Sequence, residues 1–453
     1  MEQTALYRTI WRWHFYAGLL VMPLILILSL TGAAYLFKPQ IDRWEERDFG
    51  GLSAAGAVSP AAQVNAALAA WPKARFDAYR LPEAEGDAAA ITLAPADGGA
   101  PREVFVSPQG DVLGGFDPER RITPMLARFH GSLMLGSFGD WIVELAASWA
   151  IVMILSGLYL WWPKDRRLAG VLWPRLSLGG RGFWRDLHAV VGFWVAGLAL
   201  LMLATGLPWA GVWGSALASV RTELGLVKGV QDWKIGGGEN AAAHHHGSMG
   251  MAMPMPIAGN APLPFDPAMF SLAVAEAKGE HLAFPASVLP PGAPQRFGPP
   301  TGQVWTAKSE AQDRPLQRSV TYDLASGREI AREGFADKHP IDRFINYGIA
   351  WHEGQLLGWF NQLVGVLTAA LLVVLTVSGF AMWRKRRPAG SGLGAPPPPA
   401  RKITRSGIVI SGVALAALLP LFALSLAVFW LVERLALRRI RPVANWLGLS
   451  FPG

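Results

Sequence analysis

The stretch Trp11–Phe37, WRWHFYAGLLVMPLILILSLTGAAYLF, decides the fold. Its histidine, His14, stands where a basic segment meets an apolar run long enough to cross a bilayer. About 170 residues later LHAVVGFWVAGLALLMLATG repeats the pattern, starting at His188. Gly18 and Gly192 follow their histidines by four residues, and Thr31-Gly32 and Thr205-Gly206 follow by seventeen and eighteen. Three shared offsets argue against coincidence.

A second pair matches more closely. FHGSLMLG opens the run that ends at Trp161, and WHEGQLLG opens the run that ends at Trp383. Counted from His130 and His352, both have glycine at +6 (Gly136, Gly358), Ser-Gly at +26/+27 (Ser156-Gly157, Ser378-Gly379) and tryptophan at +31. Upstream both have proline at −12 (Pro118, Pro340) and arginine at −9 (Arg121, Arg343). Repeats of this kind are the first thing to look for in a sequence, because they set the architecture. The expected fold is a polytopic α-helical membrane protein with two small α+β modules, made by internal duplication of span–module–span.

Composition agrees. The chain has 453 residues, 51% of them hydrophobic, with a mean hydropathy of +0.27, which excludes an ordinary soluble enzyme. The net charge of +8 does not point to nucleic acid. Its cations sit beside the spans: Lys164, Arg166, Arg167, Arg175, Arg181 and Arg185 after the second, and Arg384–Arg387, Arg401, Lys402 and Arg405 after the fourth. That is the mark of cytoplasmic loops. There is no cysteine, so disulfides, iron–sulfur clusters and covalently attached c-type haem are excluded. The first apolar run is too long for a cleavable signal and reads as an anchor.

Residues 1–37 hold the first span, at about 15–37, with Arg8 and Arg12 at its cytoplasmic end. Residues 38–138 form the first outer module: a helix over Ser59–Trp71, then strands near 75–81, 89–94 and 102–113 with a turn at Asp97-Gly98-Gly99. Residues 139–210 hold spans two (about 140–162) and three (about 188–210) around a basic cytoplasmic loop. Residues 211–350 form the second module, with a helix over Asp266–Lys278 and strands near 283–289, 303–308 and 318–331. Span four lies at about 359–383 within 351–388, and a Pro-rich linker, 389–406, contains Pro396–Pro399. Residues 407–453 carry a fifth apolar run, broken by Pro420, then Arg434, Arg438, Arg439 and Arg441. If that run crosses, those arginines violate the positive-inside tendency; a re-entrant or interfacial tail is the rival.

This topology puts His14 and His188 at the cytoplasmic face and His130 and His352 at the outer face. Two histidines per layer on duplicated helices are what is needed to clamp an iron porphyrin from both sides, because neutral imidazole is a good iron ligand. Two axial imidazoles leave no open position and so favour electron transfer. Candidate partners for haem propionates are Arg12 and Arg185 at the inner pair and Arg121, Arg128 and Arg343 at the outer pair; a topology or interface charge is the equal alternative for each. Glu144, just inside span two, is a candidate for proton transfer. Spans of about 23 residues at about 1.5 Å each put the two histidine layers about 35 Å apart. One hop does not cover that, so the outer segments must bend inward or the porphyrins fill much of the gap. HHHGSMGMAMPMP, with His244, His245, His246, Met249, Met251, Met253 and Met255, joins imidazole and thioether donors that suit copper.

Over residues 1–388 the chain resembles the PepSY-associated transmembrane family. The WHFYAG and LHAVVGFW starts, the FHGSL and WHEGQ segments and the S-G-x-x-x-W endings carry the resemblance. That family comprises iron-regulated inner-membrane proteins and includes haem-containing ferric-siderophore reductases. The resemblance implies two bis-histidine b haems, PepSY-like modules in the periplasm, a cytoplasmic N-terminus, and electron transfer across the inner membrane to a ferric-siderophore or similar metal chelate. No nucleotide-binding glycine loop or flavin motif is present, so the electron donor, a quinol or a flavoprotein, comes from elsewhere. Two other functions fit the sequence: a non-enzymatic PepSY membrane regulator or sensor, and a periplasmic copper-handling protein built on the 244–256 loop.

Overall fold

The computed structural model describes residues 2–95, 99–163, 169–228, 265–295, 300–323, 325–326, 328–387, 392–397 and 406–449. In chain order, α1 (Glu2–Tyr35) and α2 (Lys38–Glu45) lead to α3 (Pro60–Ala70) and four strands. These are β1 (Ala74–Arg80), β2 (Ala89–Pro95), β3 (Arg102–Val106) and β4 (Val112–Phe116). Next come α4 (Ile122–Ser132), α5 (Gly136–Trp161), α6 (Gly180–Gly206) and α7 (Gly211–Glu223). A second set follows: α8 (Pro267–Gly279), then β5 (Ala286–Leu289), β6 (Trp305–Ser309), β7 (Arg318–Asp323) and β8 (Arg328–Gly334). The chain closes with α9 (Pro340–His352), α10 (Trp359–Arg386), α11 (Ser406–Leu418), α12 (Pro420–Val432) and α13 (Arg441–Leu447). Two compact units result: residues 1–34, 128–217 and 363–453 in one, and 35–127 and 218–362 in the other.

The first unit is the helical one. Five helical stretches, Ala5–Tyr35, Gly136–Trp161, Gly180–Trp209, Trp359–Arg386 and Pro420–Leu437, are long and apolar enough to cross a membrane. Exposed Leu20, Leu155, Trp194, Leu201, Leu367 and Val377 fit a bilayer as their solvent. The helices start earlier than hydropathy places the spans. His14 and His188 therefore lie inside α1 and α6, and the basic residues before them are helical too.

The C-terminal segment turns back on itself. The Leu393 N–H donates to the Trp446 carbonyl at 2.6 Å. Arg12 donates to the carbonyls of Pro396 (2.6 Å) and Gly448 (2.7 Å), and Tyr16 donates to that of Leu447. Residues 392–397 and 446–448 thus meet beside Arg12, and the chain between them leaves and returns to one end of the unit. Its turn is Leu419, with φ −125° and ψ 85°, ahead of Pro420, which has no N–H to continue α11. Trp213 Nε1 donates to the Leu418 carbonyl at 2.9 Å, and Trp149 Nε1 to Ser425 Oγ at 3.0 Å, which pins the returning α12 along α5.

The second unit contains the expected helix-plus-strand modules, but their strands form one antiparallel sheet in the order β4-β3-β2-β1-β5-β6-β7-β8. The join is β1 against β5, with Tyr79 opposite Val288 and Arg80 opposite Ser287. Two separate four-stranded sheets would each leave a long edge of unpaired backbone groups, and pairing removes both. The helices are where the sequence puts them. Ser59 accepts from the Ala62 N–H to cap α3, and Asp266 accepts from Ala268 and Met269 to cap α8. The single strand expected over 102–113 is instead a hairpin, because Gly110 turns the chain at φ 93°. The stretch 318–331 likewise divides into β7 and β8. Most of the Asp97-Gly98-Gly99 turn lies outside the described residues.

Helices α3 and α8 cover one face of the sheet, with Phe76, Tyr79 and Phe270 in edge-to-face contact at 5.3–5.4 Å. Buried Gln63 is satisfied by Tyr79 Oη (2.6 Å) and the Ser107 carbonyl (2.9 Å). Elsewhere in this unit Arg221 and Asp342, both almost fully buried, form a bidentate pair at 2.7 and 2.8 Å.

Two outcomes are expected. Asp342→Ala leaves a buried guanidinium without its counter-ion and should lower stability by about 3–5 kcal/mol, read by thermal unfolding; a loss under about 1 kcal/mol would refute that role. The cysteine-free chain also allows a labelling test. Pro397→Cys and Asn445→Cys should react with a membrane-impermeant maleimide from the same side of oriented vesicles, and labelling from opposite sides would refute the hairpin.

Candidate metal centre

Three of the four predicted histidines share one local geometry. The His14 Nδ1 lies 2.9 Å from Ser156 Oγ, and the His130 Nδ1 lies 3.1 Å from Thr31 Oγ1. The His188 Nδ1 lies 3.2 Å from Ser378 Oγ and 3.0 Å from the Leu375 carbonyl. A hydroxyl has one proton to give. Ser156 gives it to the Met153 carbonyl, Ser378 to Leu375, and Thr31 to Ile27, at 3.1, 2.9 and 2.8 Å. A hydroxyl that gives its proton to its own helix is left to accept from the ring nitrogen. For His188 the Leu375 carbonyl requires this directly, since a carbonyl cannot donate. His188 therefore carries its proton on Nδ1, the form in which a histidine binds a metal through Nε2, and His14 and His130 set Nδ1 against a helix hydroxyl in the same way.

The residue after each hydroxyl is glycine, and the ring lies over it. A Cβ on Gly157 would meet the His14 Cε1 at 3.2 Å, one on Gly379 the His188 Cε1 at 3.3 Å, and one on Gly32 the His130 Cε1 at 2.9 Å. The repeated Ser-Gly and Thr-Gly pairs thus act as seats: the hydroxyl meets Nδ1, and the missing side chain leaves room for the ring edge at Cε1. The sequence shows these pairs as repeat offsets but not as histidine partners. What it lacks is which helix faces which.

His14 and His188 are half-buried on neighbouring elements of the helical unit and lie within electrostatic reach of each other. His130 takes a different route. It ends α4, after which Leu133 (φ 51°) and Met134 (φ 61°) adopt left-handed backbone and Gly136 (φ 58°) starts α5. The short helix is set apart from the span, and the ring reaches α1 at Thr31-Gly32. That seat is seventeen residues along α1 from His14, about 26 Å at about 1.5 Å per residue. The gap of about 35 Å expected from span length is reduced because His130 does not cap a straight span. His352, at the end of α9 in the other unit, is followed by the same kind of break, with Gly354 at φ 73° and Gly358 at φ 57°.

The predicted cationic partners are mostly engaged. Arg12 holds the C-terminal carbonyls, as described above. Arg185 pairs with Asp186 (2.8 Å), which also holds Arg175 (2.6 Å). Arg121 is buried in the sheet-bearing unit among Glu45, Glu46 and Glu103, at 3.2, 2.6 and 3.1 Å; burial works against its charge, and Glu103, Glu46 and Asp42 more than offset this and raise its pKa. A propionate at Arg121 would have to displace them, so its repeat position is accounted for by structural ion pairs. Arg128 is half-buried on α4 two residues before His130, and Arg343 is half-buried on α9. Glu144, placed as a proton-transfer candidate, accepts from the N–H groups of Val212 (2.8 Å) and Trp213 (3.2 Å) and so caps the start of α7. His244, His245, His246, Met249, Met251, Met253 and Met255 lie outside the described residues. Among the described residues no cluster of three or more His, Cys, Asp or Glu side chains could hold a metal ion.

Residues 11–386 match the family model described as the PepSY-associated TM region. The chain belongs to the PepSY-associated transmembrane family. The match takes in all four histidines and their three hydroxyl seats and stops before the linker, so the C-terminal hairpin lies beyond the family region. Among curated proteins none matches the chain.

Removing a seat should be felt at the ring. Ser156→Ala and Ser378→Ala each delete the acceptor of an Nδ1–H, with a cost of about 1–3 kcal/mol if nothing replaces it. His188 keeps the Leu375 carbonyl, while His14 has no second acceptor among the described residues, so Ser156→Ala should destabilise the protein more than Ser378→Ala in thermal melts. The reverse order would refute the assignment of donors.

Proposed function

We propose that this protein is a membrane oxidoreductase that carries electrons through two b haems and reduces a metal chelate on the far side, a ferric-siderophore by the family resemblance. The observation that carries this reading is the seat shared by His14, His188 and His130, each with Nδ1 against a helix hydroxyl, and the Leu375 carbonyl that puts the His188 proton on Nδ1, the tautomer in which an imidazole binds iron through Nε2. His14 and His188 would hold the inner haem. For the outer haem the sequence repeat names His130 and His352, and the Thr31 seat of His130 supports the first of these.

Haem b, when bound, supplies reversible one-electron exchange at its iron. The chain's contributions are local. Ser156, Ser378 and Thr31 keep Nε2 deprotonated and hold each ring by hydrogen bonds that strengthen its basicity. Gly157, Gly379 and Gly32 admit the ring edge. Leu and Val side chains of the spans exclude water, which keeps the cofactor in a low dielectric and makes a bis-imidazole centre an electron carrier rather than an oxygen-binding one. One-electron reduction of a hard-oxygen ferric chelate gives the ferrous ion, a poorer match for those donors, and releases it.

Duplication fits the same reading. The mirrored strand order about β1 and β5 is what two copies of one module give when joined edge to edge, and the basic ends of spans two and four support cytoplasmic loops with modules in the periplasm. The donor is a quinol or a cytoplasmic flavoprotein.

The test is a visible spectrum of the purified protein, air-oxidised and then dithionite-reduced, with haem counted per chain. Two low-spin b haems are expected. His14→Ala or His188→Ala should remove about one of the two, and His130→Ala the other. A colourless protein made with ample porphyrin, or full haem content in all three variants, would overturn the proposal in favour of a non-enzymatic membrane regulator.

A further inference from the structure

Two of the cations at the His188 end of the bundle are not used by the fold. Asp186 is held by Arg175 and Arg185, Arg386 stacks on Trp11 at 4.6 Å, and Arg387 lies over Trp383 at 5.9 Å. Arg384 and Lys385 are exposed and make no ion pair or side-chain hydrogen bond among the described residues. They form the rim of an open cavity of about 530 Å³, whose walls are Trp184, Phe380 and Ala381. Trp184 lies one turn before His188 on α6, and Phe380 directly follows the Ser378-Gly379 seat on α10. The volume is within the range of small-molecule sites, about 300–1,000 Å³.

The lining has a direction. Apolar walls lie where the spans end, and two uncompensated cations lie just beyond. Aromatic side chains settle at the headgroup level of a bilayer, and basic pockets between spans at the cytoplasmic face bind anionic headgroups. A neutral quinone would use the aromatic walls and gain nothing from the two charges. A zwitterionic lipid brings its own cation to a rim that is already positive. Arg181, exposed three residues before Trp184, adds to the same potential.

We propose that Trp184, Phe380, Ala381, Arg384 and Lys385 form a binding site for one anionic phospholipid, with its phosphate between Arg384 and Lys385 and its glycerol–acyl part on Trp184 and Phe380. This does not depend on haem. The site fixes the ends of α6 and α10 to each other at the level of the His188 seat, so an anionic leaflet would hold together the two helices that carry His188 and Ser378.

Native mass spectrometry of the full-length, delipidated protein tests this, with phosphatidylglycerol and phosphatidylcholine titrated separately. Phosphatidylglycerol should bind at least tenfold more tightly, as one retained molecule per chain. Arg384→Gln with Lys385→Gln should abolish the difference, while Arg434→Gln with Arg439→Gln, the same loss of charge elsewhere, should leave it intact. Ala381→Trp fills the cavity and keeps both charges, and it should also lose the retained lipid, so a folding defect in the first pair does not decide the matter. Equal affinity for the two lipids overturns the proposal. So does loss of preference in both double variants alike, retention in Ala381→Trp, or displacement of the lipid by inorganic phosphate at the same concentration, which would assign the cations to a soluble anion.

Discussion

A serine or threonine hydroxyl inside an apolar helix tends to give its proton back to the carbonyl three or four residues earlier, because no water is there to take it. The rest of the site follows from that constraint. Once Ser156, Ser378 and Thr31 have donated to their own helices, they are acceptors, and the histidine on the neighbouring helix can only donate. Tautomer and ring orientation are then fixed together, without a carboxylate or a buried charge. This matters in lipid, where an ionised partner for each histidine would be costly. A hydroxyl does the same job with neutral groups.

The same logic explains why the pairs are Ser-Gly and Thr-Gly. A helix that offers a hydroxyl at one position and no side chain at the next lets a planar ring lie against its backbone, at about 3 Å from where a Cβ would be. α1 does this and also supplies a histidine of its own, so one helix bears His14 near one end and the seat of His130 near the other. The spacing between the two histidine levels is thereby set along one continuous helix, with Pro23 inside it, and not by a sum of loop conformations.

What could be read from the sequence was whatever depends on neighbours along the chain. Ser59 and Asp266 ahead of Pro60 and Pro267 announce helix starts, the apolar runs announce spans, and the repeat announces the histidines. The turn at Gly110 was readable as well, since Ser107-Pro108-Gln109-Gly110 puts proline and glycine where a β-turn takes them, and the Gly110 N–H donates to the Ser107 carbonyl at 3.0 Å. Two things were not readable, each because its cause is distant. The join of β1 to β5 links strands more than 200 residues apart through backbone groups that any sequence has. Arg121 and Arg343 share a repeat position, which suggested a common task, yet Arg121 answers to Asp42, Glu45, Glu46 and Glu103. Equivalence in a repeat fixes where a residue sits and leaves its partners to diverge.

The C-terminal hairpin shows that divergence at larger scale. Read alone, residues 407–453 pose a conflict between an apolar run that should cross and an arginine-rich end that should not. The contacts of Leu393, Arg12 and Tyr16 with Trp446, Gly448 and Leu447 remove it, because a segment that returns to its point of departure brings Arg438, Arg439 and Arg441 back with it. Pro420 makes the return possible by ending α11 after 13 residues, about 20 Å and short of the roughly 30 Å of a hydrocarbon core. The hairpin also draws Arg12 into its own hydrogen bonds. A residue two positions from His14 thus ties the tail to the helix that carries the histidine, and the segment outside the family region is anchored beside His14.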